Sequence, residues 1–372
     1  MEKLISKLKQ REEEGNLRRL TARVGLIDFF SNDYLGLAKS AELADAIHNE
    51  FCKVKGNLNG STGSRLLSGN NDYVQQLEQK LSKLFNAESA LIFNSGYNAN
   101  LSILSAVPQK DDTILYDELI HASLKEGARL SFAQRFSFRH NDPDDLEKKI
   151  KKSKGDVFIV VESIYSMDGD KVPLQDFITI AEKYGAHIIL DEAHSTGLLG
   201  KHGNGMACEL GVEDKIFARV YTFGKAMGIH GACIAGSKVL SDYLINFARP
   251  FIYTTSLPPH SLIAIDKAFE YIRANAQLSE RIKEKIKLFK TCASDELKQI
   301  LLDSDSPIQV LRIEGNTRAK SAAARLTERG FDVRAILSPT VKQGEERLRI
   351  CLHLFNTDEE IIDLVNCIKE VL

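Results

Sequence analysis

The sequence predicts an α/β protein with a mostly parallel central sheet, helices on both faces, and a smaller α+β lobe near the C-terminus. Two observations predict this fold class. Short apolar runs such as Val157–Val161 recur along the first two thirds of the chain, separated by enough residues for a helix or loop to cross back over a sheet. After Pro258-Pro259 the pattern changes to long helical segments and a few strands.

The first segment, residues 1–35, is predicted to be a helix followed by an arm. Residues 1–15 have the pattern of a charged amphipathic helix, and a strand is predicted at Ile27–Phe30. We expect this arm to pack on the main body.

Residues 36–245 are predicted to form a large domain. Apolar residues recur every four positions from Tyr73 to Phe85, which predicts a helix after a glycine-rich stretch. The predicted strands are Ala90–Phe93, Thr113–Tyr116, Val157–Val161, His187–Leu190, Arg219–Thr222 and Ala232–Ala235.

Residues 246–372 are predicted to form a small domain with helices and strands in succession. The predicted elements are a helical region Leu262–Leu302, a strand Ile308–Ile313, a helix Thr317–Arg329, and strands near Asp332–Ile336 and Arg347–Leu352.

Composition excludes several classes of partner. The formal net charge of the 372 residues is -2, so no basic field indicates nucleic acid. No apolar run approaches the roughly twenty residues that a membrane span needs, and the N-terminus lacks a signal-peptide pattern. We therefore expect a cytoplasmic protein that acts on small molecules.

The six cysteines lie far apart, without the paired spacing of a zinc site or a redox dithiol, and we interpret them as reduced thiols. Asp191 and His194 would need a third nearby ligand to bind a metal, so no metal is predicted.

Three residues indicate a site for pyridoxal phosphate. Asp191 ends the apolar run Ile188–Leu190 and opens the sequence Asp-Glu-Ala-His that closes with His194, and Lys225 follows in Thr-Phe-Gly-Lys. At the carboxyl edge of a parallel sheet, the acid can keep a pyridinium nitrogen protonated while the lysine forms a Schiff base with the aldehyde. The alternative is that Lys225 is one of many surface lysines, but its small, uncharged neighbours favour a buried amine.

Other strand ends add candidate side chains. Gly96 lies where a predicted strand leads into a helix, a place that suits a phosphate, although an ordinary turn is the alternative. His121 and Ser166 follow two further strands and can reach a planar cofactor, and Thr222 can offer a hydroxyl to the phosphate.

Three other motifs are incomplete. The segment Gly197–His202 resembles a P-loop only in part, because Ser195 stands where the first glycine of that motif is required and His202 where a Ser or Thr is required. Gly60–Arg65 lacks the dinucleotide fingerprint. No Gly-x-Ser-x-Gly elbow is present.

Together these residues resemble the α-oxoamine synthases, fold-type I pyridoxal-phosphate enzymes that condense an amino acid with an acyl thioester and release carbon dioxide. The resemblance runs from about Leu17 to the C-terminus. The matching motifs occur in the family's order, and they are Asn32–Gly36, Gly63–Arg65, Ser95–Tyr97, His121–Ser123, Ser166–Gly169, Asp191–His194 and Thr222–Lys225.

The resemblance implies catalytic roles at the ring of the cofactor. Lys225 would form the Schiff base and Asp191 would pair with the pyridine nitrogen. His194 and Ser166 would approach the phenolic oxygen, and His121 would stack on the ring.

The resemblance also implies residues for the phosphate. Gly96 and Tyr97 would hold the cofactor through the strand-to-helix turn, with support from Thr222. Thr254 and Thr255 resemble a segment that reaches the phosphate of the neighbouring subunit, which implies a homodimer with shared active sites.

For the amino-acid substrate, the resemblance points to Arg349 as the partner of the carboxylate, because a guanidinium can bind it with two parallel hydrogen bonds. Arg18, Asn32 and Thr340 match positions that line the substrate site. Arg347 is the alternative, and we expect only one of the two arginines to face the site; we choose Arg349 by its position in the motif.

The chain departs from the family after this strand. Relatives commonly have an alanine-rich turn with a histidine, where residues 351–357 read Cys-Leu-His-Leu-Phe-Asn-Thr. The acyl-facing surface of the small domain is therefore expected to differ.

Within the family, the resemblance is closest to the enzyme that joins L-alanine to a pimeloyl thioester, carried by CoA or an acyl carrier protein, in biotin synthesis. The enzyme alternatives use glycine with acetyl-CoA or serine with a long acyl-CoA. The alternative from another class is a noncatalytic binding protein of the same fold.

Overall fold

The computed structural model describes residues 1–20 and 25–372, so residues 21–24 of the predicted arm lie outside the described part of the chain. The chain divides into two compact units. The small unit comprises Met1–Tyr34, Met167–Asp170 and Glu280–Leu372, and the large unit comprises Leu35–Ser166 and Lys171–Ser279. The predicted boundaries at residues 35 and 245 stay a prediction.

The helices and strands of the described residues alternate along most of the chain. The helices are α1 Glu2–Glu13, α2 Ala41–Phe51, α3 Asp72–Leu84, α4 Gly96–Ala106, α5 Ala122–Leu130, α6 Pro143–Ile150, α7 Leu174–Tyr184, α8 Met206–Leu210, α9 Lys238–Phe247, α10 Arg249–Ile252, α11 Pro259–Ala274, α12 Leu278–Cys292, α13 Asp295–Ile300, α14 Asn316–Glu328 and α15 Asp358–Val371. The strands are β1 Ile27–Asp28, β2 Ser89–Phe93, β3 Thr113–Asp117, β4 Gln134–Phe138, β5 Val157–Glu162, β6 His187–Asp191, β7 Ala218–Thr222, β8 Ala232–Gly236, β9 Ile308–Arg312, β10 Phe331–Asp332, β11 Arg334–Ile336 and β12 Arg347–Cys351.

The large unit contains a seven-stranded sheet in the order β2-β8-β7-β6-β5-β3-β4, counted over the described residues. Strands β3 to β7 are parallel, and β8 runs antiparallel to both of its neighbours. All six residues of β5 are buried, as expected for a strand covered on both faces. The predicted fold class, an α/β sheet that is mostly parallel, is confirmed.

Strand β4 is missing from the sequence prediction. It lies at the edge of the sheet, and Gln134, Arg135 and Phe136 are exposed. An edge strand needs no continuous apolar run, which is the signal that revealed the other strands.

The small unit contains an antiparallel sheet in the order β11-β12-β9, and β1 pairs in parallel with β10. Helix α15 begins with a capping box in which Thr357 and Glu360 bond each other's backbone N–H groups. The predicted arm therefore packs within this unit through β1. Helix α1 buries none of its residues, so the expectation of a packed arm is wrong for the helix.

The helical region predicted at Leu262–Leu302 is three helices, α11 to α13. Asn275 ends α11 and Ser294 caps α13 by accepting from the Leu297 N–H group (3.4 Å), and neither stop was predicted. None of the described helices combines the length and the apolar character required to cross a membrane.

Candidate active site

Acidic residues lie at the carboxyl ends of three parallel strands in the large unit. Asp117 ends β3, Glu162 ends β5 and Asp191 ends β6, and all three side chains are buried. Glu162 and Asp191 are paired in register on adjacent strands. The sequence predicted that side chains would gather at this edge, where open parallel sheets bind ligands, but did not name Glu162 as a site residue.

Both carboxylate oxygens of Asp191 accept hydrogen bonds. The Ala193 backbone N–H donates to Oδ1 (2.9 Å), and Asn100 Nδ2 donates to Oδ2 (2.8 Å). Asp191 is 3% exposed. Bonds of this kind stabilise the ionised form of a buried acid. The carboxylate of Asp191 is therefore held in place at the sheet edge by a backbone and a side-chain donor.

The turn that follows Asp191 is held by the fully buried Glu192. Its carboxylate accepts hydrogen bonds from the backbone N–H groups of Met206 and Ala207 (both 2.9 Å), at the start of α8, and from the Ser195 hydroxyl. Burial raises the pKa of Glu192. This carboxylate fixes the turn that carries His194.

His194 lies against Lys225, with 2.9 Å between the imidazole Nε2 and the amine Nζ. His194 is buried, and Lys225, which follows β7, is partly buried. At this distance one nitrogen donates a hydrogen bond and the other accepts it. The structure thus joins two residues that the sequence predicted to act together.

His121 caps the N-terminus of α5 and is held on two sides. Its backbone N–H donates to the Glu162 carboxylate, and its ring Nδ1 lies 2.7 Å from Ser123 Oγ. Desolvation lowers the pKa of the imidazole, while the charge of Asp191 opposes this shift. Burial, and next the charge of Asp191, raise the pKa of Glu162 to about 8.

Two observations around α4 test whether the site fits a phosphate. A Cβ built on Gly96, the first residue of α4, would lie 2.4 Å from Thr222 Cγ2, so the backbone here tolerates no side chain. Thr222 Oγ1 is buried and, within the described residues, has no hydrogen-bond partner. A helix N-terminus beside an unsatisfied hydroxyl is suited to an anion, so these residues fit the phosphate of the predicted cofactor.

Four further predicted residues lie in the large unit. Ser166 is buried, whereas the Tyr97 side chain is 48% exposed. Thr254 Oγ1 accepts a hydrogen bond from Asn94 Nδ2 (3.0 Å), beside the turn that begins α4, and Thr255 is exposed. Contact of Thr254 and Thr255 with a neighbouring subunit stays a prediction.

In the small unit, both arginines of β12 are buried, Arg347 at 2% and Arg349 at 4% exposure. Residues two apart on a strand lie on the same face, so the expectation that only one of them can face the site is wrong. They differ in their partners. Arg347 forms an ion pair with Asp168, and Nε donates to the Glu345 carbonyl (2.7 Å). The guanidinium of Arg347 is therefore paired with a carboxylate of its own unit.

Arg349 has neutral partners. Nη2 donates to Asn32 Oδ1 (3.0 Å), and Nη1 donates to the thiol of Cys351 (2.9 Å). Burial raises the pKa of Cys351, although the charge of Arg349 opposes this shift. The structure thus brings together two predicted substrate residues, Arg349 and Asn32.

Arg18 and Thr340 are exposed, and within the described residues no hydrogen bond joins either side chain to Arg349. Sequence reasoning missed Asn100 and Glu162. Glu162 ends a fully buried strand, so the sequence carried a signal for it, whereas the helical pattern around Asn100 does not show which polar residue points inwards.

The fold and the large-unit site define a fold-type I enzyme that uses pyridoxal phosphate. The chain belongs to the aminotransferase class I and II family, whose model matches residues 24–368.

Two curated relatives cover most of the chain. It is 40% identical to an 8-amino-7-oxononanoate synthase from Emericella nidulans, over 97% of this chain and 93% of the relative. It is 38% identical to 8-amino-7-oxononanoate synthase 2 from Bacillus subtilis, over 87% of this chain and 82% of the relative.

Solved structures show the same fold. A serine palmitoyltransferase variant from S. paucimobilis, with a bound PLP-myriocin aldimine, is 25% identical with a TM-score of 0.89 and covers 99% of this chain and 96% of its own. An 8-amino-7-oxononanoate synthase from Francisella tularensis is 32% identical with a TM-score of 0.79, and the match covers 94% of this chain and 98% of that structure's chain. The predicted fold, cofactor and resemblance to α-oxoamine synthases are confirmed, while the roles of individual site residues stay predictions.

Proposed function

We propose that the protein condenses L-alanine with a pimeloyl thioester to give 8-amino-7-oxononanoate, carbon dioxide and a free thiol, a step of biotin synthesis. The observation that carries the proposal is the Lys225–His194 pair, 2.9 Å apart, on the sheet edge that also holds the buried Asp191. Relatives that are 34–40% identical over most of the chain and named 8-amino-7-oxononanoate synthase support these substrates.

Pyridoxal phosphate supplies an aldehyde that captures the amino group and a ring that withdraws electrons from Cα. Lys225 would provide the amine that holds the aldehyde, and its free amine would remove the proton from Cα of the substrate. His194 Nε2, which lies 2.9 Å from Lys225 Nζ, would exchange that proton with the amine. Asp191, whose two oxygens are held by hydrogen bonds, would pair with the ring nitrogen.

Cα then bonds to the acyl carbonyl carbon, the thiolate leaves, and the amino-acid carboxylate departs as carbon dioxide before Cα takes up a proton. Arg349 binds this carboxylate and orients the Cα–H bond, with Asn32 holding the guanidinium. Gly96 and Thr222 would hold the phosphate of the cofactor.

We further propose a cytoplasmic homodimer in which Thr254 and Thr255 reach the partner's phosphate. The exposed Thr255, next to a residue that bonds the turn before α4, supports this arrangement.

A second candidate is condensation of serine with a long acyl-CoA. The higher TM-score of the serine palmitoyltransferase structure, 0.89 against 0.79, favours it, whereas the higher identity of the 8-amino-7-oxononanoate synthase, 32% against 25%, favours the first candidate.

Release of CoA separates these candidates. The purified protein is assayed with alanine, glycine and serine, each against pimeloyl-, acetyl- and palmitoyl-CoA. We expect the highest kcat/KM for alanine with pimeloyl-CoA. A clear preference for serine with palmitoyl-CoA selects the second candidate, and a folded protein that binds no pyridoxal phosphate selects a noncatalytic role.

A further inference from the structure

Asn100 is a buried amide whose side chain connects two parts of the site. It lies on α4, is 2% exposed, and donates through Nδ2 to two acceptors, Asp191 Oδ2 (2.8 Å) and Ser123 Oγ (3.0 Å). Ser123 Oγ in turn lies 2.7 Å from His121 Nδ1. These contacts form a continuous path from the carboxylate to the imidazole.

The orientation of the amide is fixed by its neighbours. If the amide were turned over, its oxygen would lie against the Asp191 carboxylate oxygen, and two acceptors at 2.8 Å repel each other. The amino group must therefore point towards both Asp191 and Ser123. This uses both of its hydrogens.

Ser123 Oγ accepts from Asn100 and keeps a second lone pair, so the Asn100 contact alone leaves the direction of the bond to His121 Nδ1 open. The backbone N–H group of Ser123 decides it, because that group can only donate, and it donates to Nδ1 (3.2 Å). With two donors directed at it, Nδ1 carries no proton, and the proton of the neutral imidazole lies on Nε2.

We infer that Asn100 is a positioning residue which, through the Ser123 hydroxyl, holds His121 in the tautomer protonated at Nε2 and, through Asp191, couples that tautomer to the charge of the carboxylate. His121 thereby presents a hydrogen-bond donor at Nε2. The inference rests on the proposed cofactor site but not on the choice of substrates.

Two features of the structure support this inference. Asn100 Oδ1 is buried and, within the described residues, has no partner, so the side chain leaves an acceptor unsatisfied in order to donate twice. The charges that act on the imidazole are Asp191, Lys225 and Lys125, and desolvation lowers its pKa, which favours the neutral ring that the path requires.

The test is the ¹⁵N NMR signal of the imidazole in the full-length protein with its cofactor, assigned by comparison with H121Q. In the wild type we expect Nδ1 without a proton and Nε2 with one. S123A removes the hydroxyl donor, so we expect a measurable fraction protonated at Nδ1 and an imidazole that protonates at higher pH. S123T keeps a hydroxyl, and we expect it to restore the wild-type signal.

N100A should shift the tautomer in the same direction, because Ser123 Oγ then loses the amide that donates to it and its hydroxyl can turn to accept from His121 Nδ1. S102A is the matched control: Ser102 lies on the same helix, is fully buried, and within the described residues its hydroxyl has no partner. We expect S102A to leave the His121 signal unchanged.

The inference is wrong if S123A keeps the wild-type signal, or if N100A and S102A change it equally. Melting temperature and bound cofactor identify any variant that fails to fold, and S123A alone then decides. The imidazole signal is measured without turnover. A negative result in the substrate assay therefore does not affect the conclusion about the tautomer of His121.

Discussion

The polar cluster around Asp191 in the large unit and the cluster around Arg349 in the small unit are both buried, but they are built differently. Asp191, His121 and Lys225 come from different strand ends. The Asn100 amide bonds Asp191 and is linked to His121 through Ser123, and Lys225 lies against His194. Arg349 instead lies on one face of a single strand and bonds a neutral amide and a thiol.

The difference teaches how each cluster can serve the reaction. Side chains that hydrogen bonds hold in place can keep a base within reach of its proton, which suits proton transfer. A guanidinium held by neutral acceptors keeps its charge available for a carboxylate ligand. We therefore expect the large-unit residues to control kcat and Arg349 to control KM for the amino acid.

The largest effect is expected for Lys225→Ala, which removes both the amine that holds the cofactor and the base. Turnover should fall by at least about 10³-fold, with loss of the visible absorption of lysine-bound cofactor. Lys201→Ala, at an exposed position of the same unit, is the control and should behave as the wild type. Near-normal turnover in Lys225→Ala contradicts the proposed roles of the large-unit cluster.

The second prediction separates the two arginines of β12. Arg349→Lys should raise KM for the amino acid by about 10- to 100-fold with a smaller change in kcat, since an ammonium cannot bind a carboxylate through two parallel bonds. Arg347→Met should instead lower the melting temperature, because it leaves Asp168 without its ion-pair partner. The assignment is reversed if Arg347→Met raises KM and Arg349→Lys does not.

The third prediction concerns the phosphate. Gly96→Ala places a methyl group 2.4 Å from Thr222 Cγ2, so we expect affinity for the cofactor to fall by about tenfold. Adding Thr222→Ser removes that methyl group and keeps the hydroxyl, and should recover most of the affinity. Titration of the apoprotein with pyridoxal phosphate measures both, and a double variant no better than Gly96→Ala rules out this steric cause.

The fourth prediction is a pH dependence of stability. The folded pKa of Glu162 is raised from 4.5 to about 8, so its contribution to stability is present below pH 4.5 and is lost as pH rises to about 8. Glu162→Gln keeps an acceptor for the His121 N–H group and cannot ionise. The free energy of unfolding of Glu162→Gln minus that of the wild type should therefore increase with pH, by up to about 1.4 kcal/mol for each pH unit within this window.

Denaturant unfolding from pH 4.5 to 9 measures this gain. A difference between Glu162→Gln and the wild type that stays constant over that range shows that Glu162 ionises in the folded protein as it does in the unfolded chain.

The sequence signals for the large-unit site are local. Asp191 and Lys225 each follow a buried apolar run, and the strand itself carries such residues to one edge of the sheet. Asn100 escaped prediction because nothing in a helical pattern tells which polar residue turns inwards. The edge strand β4 escaped because its exposed side chains follow no apolar pattern.

The small unit was less predictable, for a physical reason. Arg349 acquires its surroundings from Asn32, more than 300 residues earlier in the chain, and no local pattern encodes such a contact. Its identification came from resemblance alone, and the same face of β12 carries a second buried arginine with a structural partner. Only the three-dimensional contacts distinguish the two.

The pairing of β1 with β10 also bears on how the chain is made. Ile27 of β1 pairs with Phe331 of β10, so β1 leaves the ribosome about 300 residues before its partner strand is synthesised. The large unit, which ends at Ser279, can be synthesised completely in that interval. The N-terminal residues of the small unit therefore have no strand partner until the last quarter of the chain is synthesised. A product truncated before that point has the proposed cofactor-binding residues but lacks Arg349.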